Sequence, residues 1–235
     1  MYSLVKMLAV ADVHCPRFLP EFKQSLAQFS APDIFFFAGD MINRGNASEY
    51  ITILDTIEDS LGAGFPVIAC FGNEEYNEVR KDILSIVEDR MLFLDEKSTI
   101  IDHSSRHIGV VGTQGSLDKA TNWQRRNIPS VKGVFERRAK RAASLLKKFE
   151  KKVYKRILLM HYSPCLETCE GEEDKAFSWL GSRKFYRVVR DQSPDLVIHG
   201  HVHNSTMHKA MIGTTVVHNV SLPAVGSITE LDFWD

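Results

Sequence analysis

Cysteine is scarce, with four residues (Cys15, Cys70, Cys165 and Cys169) in a chain of 235. A disulfide scaffold needs a denser set, so reduced thiols are expected. Cys165 and Cys169 lie four apart and could share a helical face, but a structural zinc usually takes four ligands at short paired spacings. No apolar run approaches the ~20 residues that span a bilayer. The start, Met1 to Val10, contains Lys6 and passes directly into Asp12 and His14, so it reads as a first strand and not as a leader; the expected location is the cytoplasm. Neither sign of charge prevails, with 29 Lys+Arg against 30 Asp+Glu, and 44% of the residues are hydrophobic, which excludes a disordered or fibrous chain. Repeats, low-complexity tracts and Pro/Gly/Ser linkers are also missing. Residues 1–235 are therefore expected to form one domain.

The charge that is present is unevenly spread. Residues 119–156 hold 14 Lys/Arg and two acids, Glu136 and Glu150. Within that stretch Val131, Val134, Phe135, Ala142, Leu145, Leu146, Phe149 and Val153 recur at helical spacing, so an apolar stripe opposes a basic face. Such a helix can simply pack on a sheet with its cations in water; it can also hold a polyanion such as nucleic acid.

Short apolar or β-branched runs at 5–11, 34–38, 66–71, 108–112, 157–160, 196–198 and 214–217 read as buried strands. Helical patterns fall between them at about 18–29, 47–61, 77–88, 130–153 and 178–191. The alternation favours a layered α/β domain.

Five of the runs end in residues that ligate metals: Asp12-Val13-His14, Gly39-Asp40, Gly72-Asn73-Glu74-Glu75, His161, and His199-Gly200-His201-Val202-His203. In an open α/β sheet, residues beyond the carboxyl ends of the strands converge on one site. The i, i+2 spacing of Asp12/His14 and of His201/His203 would aim each pair the same way along an extended chain. Glycine before Asp40, Asn73 and His201 permits a tight turn past the strand. Asp12, His14, Asp40, Asn73, His161, His201 and His203 are too many ligands for one tetrahedral ion. They suit two divalent ions of the manganese, iron, zinc or nickel kind, about 3.5–4 Å apart with one carboxylate bridging.

In this order, Asp-x-His, Gly-Asp, Gly-Asn, a later lone His and Gly-His-x-His resemble the calcineurin-like metallophosphoesterases from Asp12 to His203. Gly112-Thr113-Gln114-Gly115-Ser116 and His161-Tyr162-Ser163-Pro164 look like the prokaryotic and archaeal members of unknown substrate. The resemblance implies a four-layered αββα sandwich of two mixed sheets flanked by helices. It assigns Asp12, His14, Asp40 and His203 to one metal and Asp40, Asn73, His161 and His201 to the other. It further implies hydrolysis of a phosphate-ester small molecule or nucleotide, by direct attack of a metal-bridging hydroxide.

One position departs from the pattern. The family places a histidine after the asparagine, where it assists the phosphate or the leaving group; this chain has Glu74. A carboxylate close to cations stays ionised, which makes it a poor acid and a repellent for dianions. Asn73 and Glu74 are thus the candidate catalytic residues, and a phosphodiester is the favoured substrate. The alternatives are a binding scaffold of this fold with a weak or inactive site, and a nuclease that grips nucleic acid on residues 119–156. Trp123, Arg125 and Arg126, at the start of that stretch, could meet a base and a phosphate.

Overall fold

The computed structural model describes residues 5–103 and 106–231. Eleven strands are found there: β1 (Met7–Val10), β2 (Ile34–Phe37), β3 (Val67–Ala69), β4 (Leu92–Phe93), β5 (Lys97–His103), β6 (Arg106–Thr113), β7 (Lys155–Met160), β8 (Leu196–His199), β9 (Lys209–Ile212), β10 (Thr215–Asn219) and β11 (Thr229–Leu231). The α-helices are α1 (Leu19–Leu26), α2 (Glu49–Leu61), α3 (Arg80–Val87), α4 (Asn122–Asn127), α5 (Val131–Phe149), α6 (Phe177–Leu180), α7 (Arg183–Gln192) and α8 (Leu222–Val225).

The strands form two mixed sheets. The first runs β11-β1-β2-β3-β4, all parallel except β11. The second runs β5-β6-β7-β8-β10-β9, parallel inside and antiparallel at both edges. Alternation along each strand sets the layers, because successive side chains leave a strand on opposite faces. Met7, Ala9, Ile34 and Phe36 meet Ile108, Val110, Ile157, Leu159, Leu196 and Ile198 in a core between the sheets. Their neighbours Leu8, Val10, Phe35 and Phe37 face outward onto α1, α2 and α3. On the other side Val111, Leu158, Met160 and Val197 face α5 and α7. Both faces of the inner strands are therefore buried, which is why they read as continuous apolar runs.

All seven expected strands are present. Those missed lie at edges: β5 and β9 are half exposed, and β9 alternates as Lys-Ala-Met-Ile with only Ala210 and Ile212 buried. A strand wetted on one face carries no apolar run. The helix expected at 178–191 is broken into α6 and α7 at Gly181, where a Cβ would lie 2.4 Å from the Ser163 carbonyl oxygen. Ser182 then caps α7 by accepting from the Lys184 N–H.

Helix α5 buries Val131, Phe135, Ala139, Ala142, Leu145, Leu146 and Phe149 and leaves Lys132, Arg137, Lys140, Arg141, Lys147 and Lys148 exposed. Arg138 departs from the expected solvated face. Its side chain is turned inward, where Nη1 donates to the Gly115 carbonyl (3.2 Å) and Nη2 to Gln114 Oε1 (2.7 Å).

Candidate metal centre

The polar residues that follow β1, β2, β3, β7 and β8 lie at the carboxyl ends of parallel strands in the two facing sheets, so they meet at one end of the sandwich. They assemble as two adjoining groups. Asp12, His14 and His203 bring one ligand atom each within 4.8 Å of one another, and so do Asp40, His161 and His201.

In the first group Asp12 Oδ1 lies 3.2 Å from His203 Nε2 and 3.8 Å from His14 Nε2. In the second, Asp40 Oδ2 is 3.4 Å from His161 Nε2, and Asn73 Oδ1 is 3.1 Å from the same nitrogen. Asp40 Oδ2 also comes within 4.0 Å of His14 Nε2, which places this carboxylate between the groups. The seven residues singled out in the sequence are thus brought together.

The local backbone is not extended, contrary to the geometry expected for the i, i+2 pairs. Asp12, His14, Asp40 and His201 have φ of +59°, +42°, +52° and +71°. Each such residue turns the chain sharply, so Asp12 and His14 share a group while His201 and His203 part into different ones. Left-handed backbone is costly for most side chains, and its concentration here marks a site overdetermined by its surroundings.

Close packing explains two of the glycines. At Gly39, with φ +87°, a Cβ would approach the Gly72 nitrogen to 2.6 Å. At Gly72 it would strike Asp40 Oδ1 at 2.2 Å, so any side chain there displaces the shared carboxylate.

Surrounding groups orient each donor. Asp12 Oδ2 accepts from the His201 N–H (2.7 Å) and Asp40 Oδ1 from the Glu74 N–H (2.7 Å), leaving one oxygen of each carboxylate for the centre. His161 Nδ1 bonds the Ala38 carbonyl (2.8 Å) and His201 Nε2 the Trp179 carbonyl (3.1 Å). A carbonyl only accepts, so those nitrogens carry protons and the opposite ring nitrogens face the centre, as in metal-ligating histidines. In the first group Asp12 Oδ1, His14 Nε2 and His203 Nε2 are buried with no hydrogen-bond partner among the described residues. Three such atoms pointing at one another are expensive unless a cation satisfies them. The donor set therefore fits divalent ions.

Electrostatics agree. Burial works against ionisation of Asp12 and Asp40, yet the neighbouring imidazoles hold both carboxyls below the usual range. Burial also works against the His161 imidazolium, but Asp40 outweighs it and lifts the group to about 9. His201, with less compensation, is pushed down to about 4 by burial.

Glu74 borders the centre. Its carboxylate accepts from the Arg44 N–H (2.7 Å) and the Tyr76 hydroxyl (3.4 Å). Its neighbour Glu75, not among the seven expected ligands, is fully buried and organises the site. Its two oxygens accept from the N–H groups of Asp40 (2.9 Å), Met41 (2.9 Å) and Gly72 (2.7 Å) and from the Tyr50 hydroxyl (3.0 Å). Gln114 adds a strut, donating from Nε2 to the Gly72 carbonyl (2.8 Å). The one hint in the sequence was a second acid directly after Asn73-Glu74.

Other candidates fall outside. His199 ends β8 buried, with Nε2 on Thr168 Oγ1 (2.8 Å), and burial pushes it down to about 4. Cys165 and Cys169 are free and buried, with Cys169 Sγ directed at the Cys165 carbonyl. Trp123 lines a cavity beside the second group, together with Asn73, Glu74 and His201.

Residues 5–205 match the family described as calcineurin-like phosphoesterase. None of the curated proteins matches the chain. Among solved structures, the phosphopantetheinyl hydrolase of Mycobacterium tuberculosis is similar over 96% of this chain and 95% of its own, with a TM-score of 0.64 and 14% identity. The protein TT1561 of Thermus thermophilus is similar over 99% of this chain and 100% of its own (TM-score 0.58, 15% identity). A purple acid phosphatase from yellow lupin seeds shares the fold over 86% of this chain and 38% of its own (TM-score 0.51, 16% identity). At these identities the structures speak for the fold alone, two mixed sheets flanked by helices. With the family match spanning residues 5–205 and two candidate metal-binding groups at one end of its sheets, the chain belongs to the calcineurin-like phosphoesterases.

Proposed function

We propose that this protein is a dinuclear metal-dependent phosphoesterase that cleaves phosphodiesters in preference to monoesters. The observation that carries this is the pair of adjoining three-residue groups, the first of them with three buried, unpartnered ligand atoms. Asp12, His14, Asp40 and His203 would hold one ion and Asp40, Asn73, His161 and His201 the other. When bound, two such ions supply an activated water and neutralise charge on the phosphoryl group.

The chain's own residues do the rest. Asp40 ties the two halves together from its place between them. Ala38, Trp179 and the backbone of His201 and Glu74 fix the orientation of the donors. Asn73 presents its side chain at the mouth of the cavity, where an ester oxygen enters. Glu74 contributes negative charge there and, with its carboxylate already accepting two bonds, no proton. The chain acts as one domain, since the core between the sheets draws on residues from Val5 to Leu231. Four buried free thiols support a cytoplasmic setting. Among the described residues no helix is long and apolar enough to cross a membrane.

The test is a hydrolysis screen over mono-, di- and cyclic phosphates with manganese, iron, zinc or nickel added. Turnover of none of them by metal-loaded protein removes the enzyme reading and leaves a binding scaffold.

Diester preference has its own test in Glu74. At ~5 Å and an effective dielectric of ~20, a carboxylate repels each extra unit of substrate charge by roughly 3 kcal/mol, and solvent at this partly exposed position reduces that to about 1–2 kcal/mol. Glu74→Gln is expected to raise the monoester-to-diester ratio of kcat/KM about tenfold. An unchanged ratio returns Glu74 to a purely structural role.

A second reading, nucleic-acid binding, is favoured by the exposed cations of α5 together with Arg183, Arg187 and Arg190 on the adjacent α7. With about four phosphates neutralised, affinity for duplex DNA is expected to fall about 100-fold between roughly 50 and 200 mM salt. Binding that is absent or indifferent to salt assigns this layer to packing alone.

A further inference from the structure

The cavity beside the second group has a volume of about 390 Å³, within the roughly 300–1,000 Å³ of small-molecule sites. Asn73 and His201 line it on the side of the metal centre, and residues between Glu74 and Arg80 and from α4 and α5 line it elsewhere. Three features decide what it can hold.

Its cations are already committed. Arg80 Nη2 and Arg138 Nη2 donate to the same Gln114 Oε1, at 3.1 and 2.7 Å. Arg80 Nη1 pairs with Asp95 Oδ2 (3.2 Å), and Arg138 Nε lies 3.8 Å from Glu96 Oε1. Two guanidiniums against two carboxylates leave no net charge to attract a second anion, and Glu74 at the opening adds a negative one.

Much of the lining is apolar, with Leu117, Ile128, Val134 and Phe135 contributing. At its side Trp123, 54% exposed, lies nearly parallel to Tyr76, with an interplanar angle of 27° and centroids 6.4 Å apart. The exposed indole offers a face on which a second planar ring can stack beside Tyr76. Both rings are held in place. The Tyr76 ring lies against Gly45, where a Cβ would come within 2.8 Å of it. Trp123 is presented by α4, whose start is locked by the reciprocal Thr121–Gln124 capping bonds and by Gln124 Nε2 donating to the Tyr162 hydroxyl (3.2 Å).

We propose that this cavity is the subsite for the organic group of the phosphate ester and that it takes an uncharged planar aromatic ring, stacked on Trp123 against Tyr76. The assignment rests on the phosphoesterase reading of the metal centre and adds the substrate class to it. Trp123 is a specificity-determining residue, since it touches the group carried by the phosphate and not the reacting atoms.

The experiment compares dibenzyl phosphate with dibutyl phosphate on manganese-loaded full-length protein, followed by phosphorus NMR. Both are monoanionic diesters with leaving alcohols of similar acidity, so the chemical step is matched. The expected wild-type result is a kcat/KM higher for the dibenzyl ester by about 5- to 100-fold, the range that stacking one ring supplies, expressed in KM. Trp123→Ala brings that ratio close to one through the KM of the dibenzyl ester, and Trp123→Phe keeps most of the preference. Equal rates in the wild type, or a preference that survives Trp123→Ala, overturn the proposal. Should neither ester be cleaved, the reading of the metal centre is what fails. The ring subsite is then judged by calorimetric titration with adenosine, an uncharged nucleoside. Saturable binding lost in Trp123→Ala upholds it, and no saturable binding overturns it.

Discussion

Asp40→Asn is expected to lower phosphodiester hydrolysis by at least about 10³-fold, equivalent to roughly 4 kcal/mol of lost transition-state stabilisation. The amide is nearly the same size and can still accept the Glu74 N–H through its remaining oxygen. The atom that changes is Oδ2, which lies 3.4 Å from His161 Nε2 and 4.0 Å from His14 Nε2. An NH₂ in that place donates where both groups need a lone pair, and it carries no negative charge. Elemental analysis of the variant is therefore expected to find at most one ion per chain where the wild type holds two, with an unaltered circular dichroism spectrum. A variant that keeps both ions and full activity refutes the bridging role.

A comparably large effect, on stability, is expected at Glu75. All four of its partners are donors: three backbone N–H groups and the Tyr50 hydroxyl. An ionised carboxylate matches that set, because the three N–H groups can only donate. Burial and the neighbouring Asp40 charge push this carboxyl upward, and the backbone N–H groups offset that only in part. Glu75→Gln settles with its NH₂ beside Met41 and Tyr50, where the hydroxyl can turn to accept it but the Met41 N–H cannot. That confronted N–H costs about 1–3 kcal/mol and the Asp40 and Gly72 N–H groups lose about 1 kcal/mol each when their acceptor is no longer charged, about 4 kcal/mol in all. For a chain of this size that lowers the melting temperature by about 10 °C. Tyr50→Phe removes one donor only and is expected to cost about 1 kcal/mol, and Glu74→Gln, in the next position, close to nothing. Thermal unfolding of the three variants checks the order; a Glu75→Gln protein as stable as the wild type overturns it. Activity should fall with stability, since Glu75 pins the Asp40 and Gly72 turns that aim the ligands.

The contrast between Glu74 and Glu75 separates what sequence can and cannot carry. Metal-type residues are legible because their identity is their chemistry: a His or Asp after an apolar run stands out wherever it finally points. Glu75 has the same letter as Glu74, and only the burial of the turn beneath β2 and β3 makes it a hub. Arg138 is a similar case. By periodicity it belongs to a basic face, but the packing of α5 on the second sheet sends it to Gln114 while Arg137 and Arg141 remain outside. The edge strands β5 and β9 were hidden because one wetted face leaves no hydrophobic run to read.

By itself the sequence determined the buried strands, the layered α/β class and the seven side chains that converge, because alternation and residue chemistry are local properties. The resemblance already implied how those seven divide into two groups, and tertiary structure decided the backbone that divides them. His201 and His203 point apart through the left-handed backbone at His201, a conformation imposed by the sheet ends and invisible in the order of residues. It also decided that Tyr76 and Trp123, 47 positions apart by their numbers, stand ring beside ring at one cavity, since proximity across distant segments arises only when the sheets close on each other.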